Sequence, residues 1–98
     1  MRDAQANPST AQTNAPLIPA RAGHHVGVSH IYLSSDTAMT VDLVCSETHA
    51  LRWRQYVGKD GGSSAEYNFT SHLGEGFDFT TSANGNVFIK VAYAYSND

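Results

Sequence analysis

The sequence predicts an all-β domain, an antiparallel β-sandwich or small jelly roll preceded by an extended N-terminal arm. Three observations predict it. Six short stretches between Val26 and Tyr95 alternate apolar and polar positions with the period of a strand. Clusters of Gly, Asn, Asp and Ser separate them. No stretch carries the 3.6-residue apolar period of an amphipathic helix.

The arm covers residues 1–22 and the domain residues 23–98. The arm is built from Ala, Asn, Gln, Thr, Ser and Pro, with a single apolar island at Leu17-Ile18 between Pro16 and Pro19. Its prolines remove backbone donors, and neither apolar period is present, so the expectation is an extended segment, either a flexible tail or an arm that lies on a partner. Val26 to Leu33 reads as the first strand of the domain. Ser34 to Thr37 turns the chain. Met39, Val41, Leu43 and Cys45 then alternate with Thr40, Asp42 and Val44, and Ser46-Glu47-Thr48 turns it again. In the strand His49 to Val57, Leu51, Trp53, Gln55 and Val57 take one side, which makes Trp53 the expected centrepiece of the core. Gly58 to Ser64 reads as a glycine-rich loop. Glu66 to Thr70 and Gly76 to Thr81 are shorter strands joined through Ser71 to Glu75, and Asn84-Gly85 suits a tight turn.

The last strand, Val87 to Tyr95, places Val87, Ile89, Val91, Tyr93 and Tyr95 on one face. Phe88, Lys90, Ala92 and Ala94 take the other. Both faces are largely apolar, so both need cover, and in so short a chain the second cover is expected to be another copy of the protein. Composition supports that need. A chain of 98 residues with a polar arm has a small interior. One cysteine, Cys45, allows no intramolecular disulfide.

The formal charge is −3, and the six basic residues are scattered. Nucleic acid and anionic membranes are therefore poor partners. No apolar segment has the length of a transmembrane helix or the make-up of an export signal, so a soluble protein made in the cytoplasm is expected.

No constellation of catalytic residues emerges, and the chain is expected not to be an enzyme. His24, His25, His30, His49 and His72 do not stand at the spacings of a zinc site, so no metal and no cofactor are expected. Cys45 with His49 is the nearest nucleophile and base, with the thiol on an apolar face that disfavours the thiolate. The carboxylates of Asp36, Asp42, Glu47, Asp60, Glu66, Glu75 and Asp78 fall in turns and on outward strand positions, where solvation accounts for them. Gly58 to Gly62 has no following helix and does not form a phosphate loop. Tyr56, Tyr67, Tyr93 and Tyr95, with Trp53, are candidate stacking surfaces for a sugar ring.

The segment from Gly74 to Tyr93, Gly-Glu-Gly-Phe-Asp-Phe-Thr-Thr-Ser-Ala-Asn-Gly-Asn-Val-Phe-Ile-Lys-Val-Ala-Tyr, resembles the closing segment of small virion proteins of tailed bacteriophages. There a glycine-flanked strand runs through Thr-Thr-Ser-Ala-type turn residues into a Val-rich final strand ending in Tyr. The layout of polar arm and compact β domain is similar to that of capsid decoration, or cement, proteins. The resemblance implies a homotrimer on the outer surface of a phage head, bound to the major capsid protein and located on the virion. It implies an arm that reaches across capsomers, with Pro8, Pro16, Leu17 and Ile18 as its expected capsid contacts. Phe88, Ala92 and Tyr95 are the expected packing between subunits. A carbohydrate- or receptor-binding module, of the kind found in a phage fibre or a lectin-like protein, is the alternative.

Overall fold

The computed structural model describes residues 2–96; Met1, Asn97 and Asp98, at the ends of the two expected segments, lie outside the described residues. Eight strands follow one another: β1 (Arg2–Ala6), β2 (Ala15–Ile18), β3 (His25–Ser35), β4 (Met39–Cys45), β5 (Leu51–Val57), β6 (Gly61–Thr70), β7 (Phe77–Thr81) and β8 (Val87–Ser96). They form two antiparallel four-stranded sheets in the orders β1-β8-β3-β6 and β2-β7-β4-β5. Only β4 and β5 are consecutive neighbours in one sheet; every other connection passes to the opposite sheet. This is the strand order of an eight-stranded jelly roll, the architecture expected from the sequence.

The expected free arm is the main departure. Residues 2–6 pair with β8 in register Arg2↔Tyr93 to Ala6↔Ile89. Residues 15–18 pair with β7, with a register shift between Pro16 and Ile18. The segment is extended, as expected, but it lies on its own chain and supplies the edge strand of each sheet. The physical reason is the backbone. The free edges of β8 and β7 would each expose a row of unpaired N–H and C=O groups, and a polar strand covers them without needing a strong apolar pattern. Ala4 and Ala6, together with Ala15, Leu17 and the wholly buried Ile18, face or pack against the common interior.

The interior lies between the sheets. Besides Ile18 and Cys45, its most deeply buried side chains are Phe77, Ile31, Leu43, Ile89, Val26, Val41 and Val91. They come from the inward positions of β3, β4, β7 and β8, the two central strands of each sheet. Trp53 is buried but sits on the edge strand β5, so it closes a side of the core and is not its centre. Its ring meets Tyr67 edge-on at 5.8 Å, and the contacts continue through Phe69 to Phe77. Edge-to-face aromatic packing thus seals the gap between β5 and β6.

The glycine-rich stretch expected as loop is only partly loop. The chain turns at Gly58 to Gly61, where the Gly61 N–H bonds to the Gly58 carbonyl at 3.0 Å, and β6 begins at once. Gly62 runs so close to β3 that a Cβ there would stand 2.8 Å from the Leu33 carbonyl oxygen. The glycine serves a close strand approach as well as a turn.

Candidate functional site

The crossing connections divide the molecule into two ends. At one end the β1–β2, β3–β4, β5–β6 and β7–β8 connections come together. At the other lie the β2–β3 and β6–β7 connections and the β4–β5 hairpin. Loops held on a rigid scaffold are the usual carriers of binding groups, and the outward sheet faces offer the other available surface.

The four-connection end holds a shallow depression of about 380 Å³ lined by Asn7, Ser34, Asp36, Asp60, Asn86 and Phe88, among others. Each connection, or the strand end beside it, contributes one Asn or Asp. Asp36 is locked in place: its Oδ1 accepts from the Asn86 N–H at 2.9 Å and from the Thr37 hydroxyl at 2.8 Å, and its Oδ2 accepts from Asn86 Nδ2 at 2.9 Å. These bonds from Thr37 and Asn86 hold its carboxyl below the ordinary value of 3.8. The β1–β2 connection is fastened to the same end, with the Ala11 N–H on Asn84 Oδ1 at 2.8 Å and the Gly85 N–H on the Ser9 carbonyl at 3.3 Å.

The outward face of the first sheet carries Phe88, Lys90, Ala92 and Ala94 from β8, opposite Ser34, Tyr32, His30 and Gly27 of β3. This is the face division read from the sequence. Tyr32 is 45% exposed, and its ring lies 4.4 Å from that of His30. His30 Nε2 is 2.9 Å from the Ser64 hydroxyl. Lys90 makes a long ion pair here, to Asp3 at 3.9 Å. No layer of the described chain covers this face.

The expected contact residues are distributed as follows. Phe88 and Ala92 do sit on the uncovered face, half-buried. Tyr95 does not. It shares the inward side with Tyr93, its hydroxyl donates to the Pro19 carbonyl at 2.7 Å, and the Arg2 and Arg21 guanidinium groups lie over its ring at 5.5 and 5.4 Å. Among the expected arm contacts Pro16 is exposed, Pro8 and Leu17 are half-buried, and Ile18 is buried in its own core, where no partner reaches it. The candidate sugar-stacking rings do not converge. Tyr56 points out from β5, Tyr67 and Trp53 pack together, and Tyr93 is buried.

The hairpin end holds the most concentrated chemistry. The β6–β7 connection is tied to three neighbours. The Ser71 hydroxyl accepts from the Val26 N–H at 2.9 Å and donates to the Glu75 carbonyl at 2.7 Å. The Gly74 N–H bonds to the His24 carbonyl at 2.8 Å, and the Gly76 N–H to the Ser46 hydroxyl at 2.9 Å. This frame turns Glu75 inward, where it is 4% exposed. Its Oε1 accepts from the Glu47 and Thr48 N–H groups, each at 2.7 Å, and Thr48 also donates its hydroxyl. Burial by itself raises the Glu75 pKa; the Thr48 and Glu47 N–H groups, the Thr48 hydroxyl and nearby His72 outweigh it and leave it below the ordinary 4.5. Solvation was the expected account of this carboxylate, and the structure replaces it with a set of directed donors.

One ligand atom each from Cys45, His72 and Glu75 lies within 4.8 Å of the other two. His49, expected to be the nearest base to Cys45, instead makes a backbone bond to the Cys45 carbonyl at 3.0 Å. At nearby Asp78, burial pushes the carboxyl above its ordinary value and His49 draws it partly back. The true neighbour of the thiol, His72, comes from a different connection. Only the His72-x-x-Glu75 spacing was visible in the sequence; the pairing with Cys45 depends on β4 and β7 lying side by side, with Cys45↔Phe77 in register.

Comparison with known proteins finds no matching family model, no matching curated protein and no matching solved structure. The functional reading therefore rests on the residues and their arrangement.

The Asp42 carboxylate is structural. Asp42 receives a two-pronged bond from Arg54, at 2.8 and 3.0 Å, across the β4–β5 ladder, which raises the Arg54 pKa further. Such pairs fix strand register more than they add stability.

Proposed function

We propose that this chain is a non-enzymatic virion surface protein, a decoration protein that self-associates and stabilises a phage head from outside. The observation that carries the reading is the outward face of β8. Phe88, Ala92 and Ala94 project away from a core that β8's other face already completes, beside the exposed Tyr32. A largely apolar strip, interrupted by Lys90, is suited to burial against a sister chain or a shell. The resemblance of Gly74 to Tyr93 to small phage virion proteins supports the same reading, and jelly rolls recur in viral capsids, a fold-level analogy. The mechanism drawn from the sequence changes in one respect. With residues 2–18 built into both sheets, the sheet face replaces a reaching arm as the contact surface. Binding only the assembled lattice stabilises it by mass action, and a trimer adds avidity to weak single contacts.

The test is the native mass of the purified chain, alone and with heads of the source phage. A trimer that decorates heads is expected, with Phe88→Asp/Ala92→Asp giving a folded monomer that does not bind. A wild-type monomer indifferent to heads overturns the reading.

The depression at the four-connection end favours a second reading, a saccharide-binding module. Asn7, Asp60, Asn86 and Ser34 offer donors and acceptors around the Phe88 ring, a mixture that fits hydroxyl-rich ligands, and lectin domains also use jelly rolls. A glycan array separates the two, since a decoration protein shows no saccharide preference.

A further inference from the structure

We propose that Cys45, His72 and Glu75 form a binding site for a zinc-class divalent cation at the hairpin end, a site independent of the function proposed above. The argument begins with the donor set. A thiol, an imidazole and a carboxylate together suit borderline-soft ions of the zinc type and do not suit calcium or magnesium, which take oxygen ligands. Four-coordinate zinc, with bonds of about 2.0–2.3 Å, holds its ligand atoms roughly 3.3–3.8 Å apart. The three atoms here lie within 4.8 Å, so a contraction of about 1 Å completes the geometry. His72 is the group that moves: its side chain is 50% exposed, whereas that of Glu75 is 5% exposed and Cys45 is fully buried.

The surroundings are those of a prepared ligand. Glu75 Oε1 is occupied by the Glu47 and Thr48 N–H groups and the Thr48 hydroxyl. Oε2 has only two long partners, the Thr48 hydroxyl at 3.2 Å and His72 Nδ1 at 3.3 Å. One carboxylate oxygen is thus anchored and the other is left to coordinate, the division of labour by which outer hydrogen bonds orient a metal-binding carboxylate. A cation placed between His72 and Glu75 lies within reach of the Cys45 thiol as well. Binding releases the Cys45 thiol proton, and any proton held by the imidazole, to solvent. Three protein ligands leave a fourth position for water on the exposed His72 side. The ion would clip the end of β4 to the β6–β7 connection, a cross-link that a chain with one cysteine cannot make as a disulfide.

The experiment uses the full chain, stripped of metal with a chelator and titrated with Zn²⁺ by calorimetry and with Co²⁺ by absorption. One ion per chain is expected, with a thiolate-to-cobalt charge-transfer band that Cys45→Ala abolishes and no binding of Ca²⁺. His72→Ala, at an exposed position, keeps the fold by circular dichroism and weakens Zn²⁺ binding about tenfold or more. The proposal is overturned if folded wild-type protein shows no thiolate band with Co²⁺, or if His72→Ala binds Zn²⁺ as tightly as wild type. Should Cys45→Ala fail to fold, these two readouts decide the matter alone.

Discussion

Replacing Ile18 by alanine asks whether the N-terminal segment belongs to the fold of its own chain. Ile18 is 2% exposed, and it is the one fully buried side chain that β2 contributes. Shortening it to a methyl loses about 2.5 kcal/mol of transfer free energy at ~0.8 kcal/mol per methylene. The residual cavity brings the cost to about 3–4 kcal/mol, within the range seen for such truncations. Domains of this size unfold with roughly 5–15 kcal/mol, so the loss is a large share of the total. In urea, with a slope of about 1–1.5 kcal/mol per M, the unfolding midpoint of the purified chain should fall by about 2–4 M. Thr13→Ala, at an exposed position in the same segment, should leave it within about 0.5 M. An Ile18→Ala midpoint equal to wild type would refute the reasoning, because a residue waiting for an outside partner costs the isolated chain nothing.

Two further predictions concern the hairpin end. A methyl on Gly76 would run into the Ile18 carbonyl oxygen and stand 2.7 Å from the Pro19 carbonyl carbon and 2.8 Å from the Ala20 nitrogen. Since these are backbone atoms, Gly76→Ala should lower the melting temperature by about 10 °C or more; a shift of only a degree or two would contradict the close approach. Glu75, whose folded pKa lies below its ordinary 4.5, stabilises the fold fully above that value, and the contribution disappears as pH falls through the lower folded pKa. Melting curves from pH 6 to pH 3 should show a smaller acid loss in Glu75→Gln, and identical slopes in the two proteins would exclude the effect.

The strands with period-two burial were legible in the sequence. Met39–Cys45 is observed with its expected bounds, and the two faces of β8 divide as the alternation predicts. These strands lie between an interior and a second environment, so their side chains record the difference. The strands β1 and β2 were not legible, because their place is fixed by backbone pairing and by small or isolated apolar side chains, Ala4, Ala6 and Ile18. Gly61-Gly62 misled for the opposite reason: glycine read as flexibility is here the consequence of β3 passing close by. At the candidate sites, His72 and Glu75 were visible as neighbours in sequence. Their meeting with Cys45 is a product of strand order, which no local pattern encodes. The four polar connections at the other end are likewise assembled from residues far apart in the chain.

The crossing connections also constrain how the molecule is made. β8 lies between β1 and β3, so β1 finds its partner only once β8 has been made. Until then the first sheet lacks β8 and the strands on either side of its place, β1 and β3, have an unpaired edge. Loop closure over nearly the full chain makes such topologies slow to form and exposed to aggregation meanwhile. A chain halted before Val87 therefore leaves β1 and β3 without the strand that joins them, an exposed edge rather than a smaller sandwich.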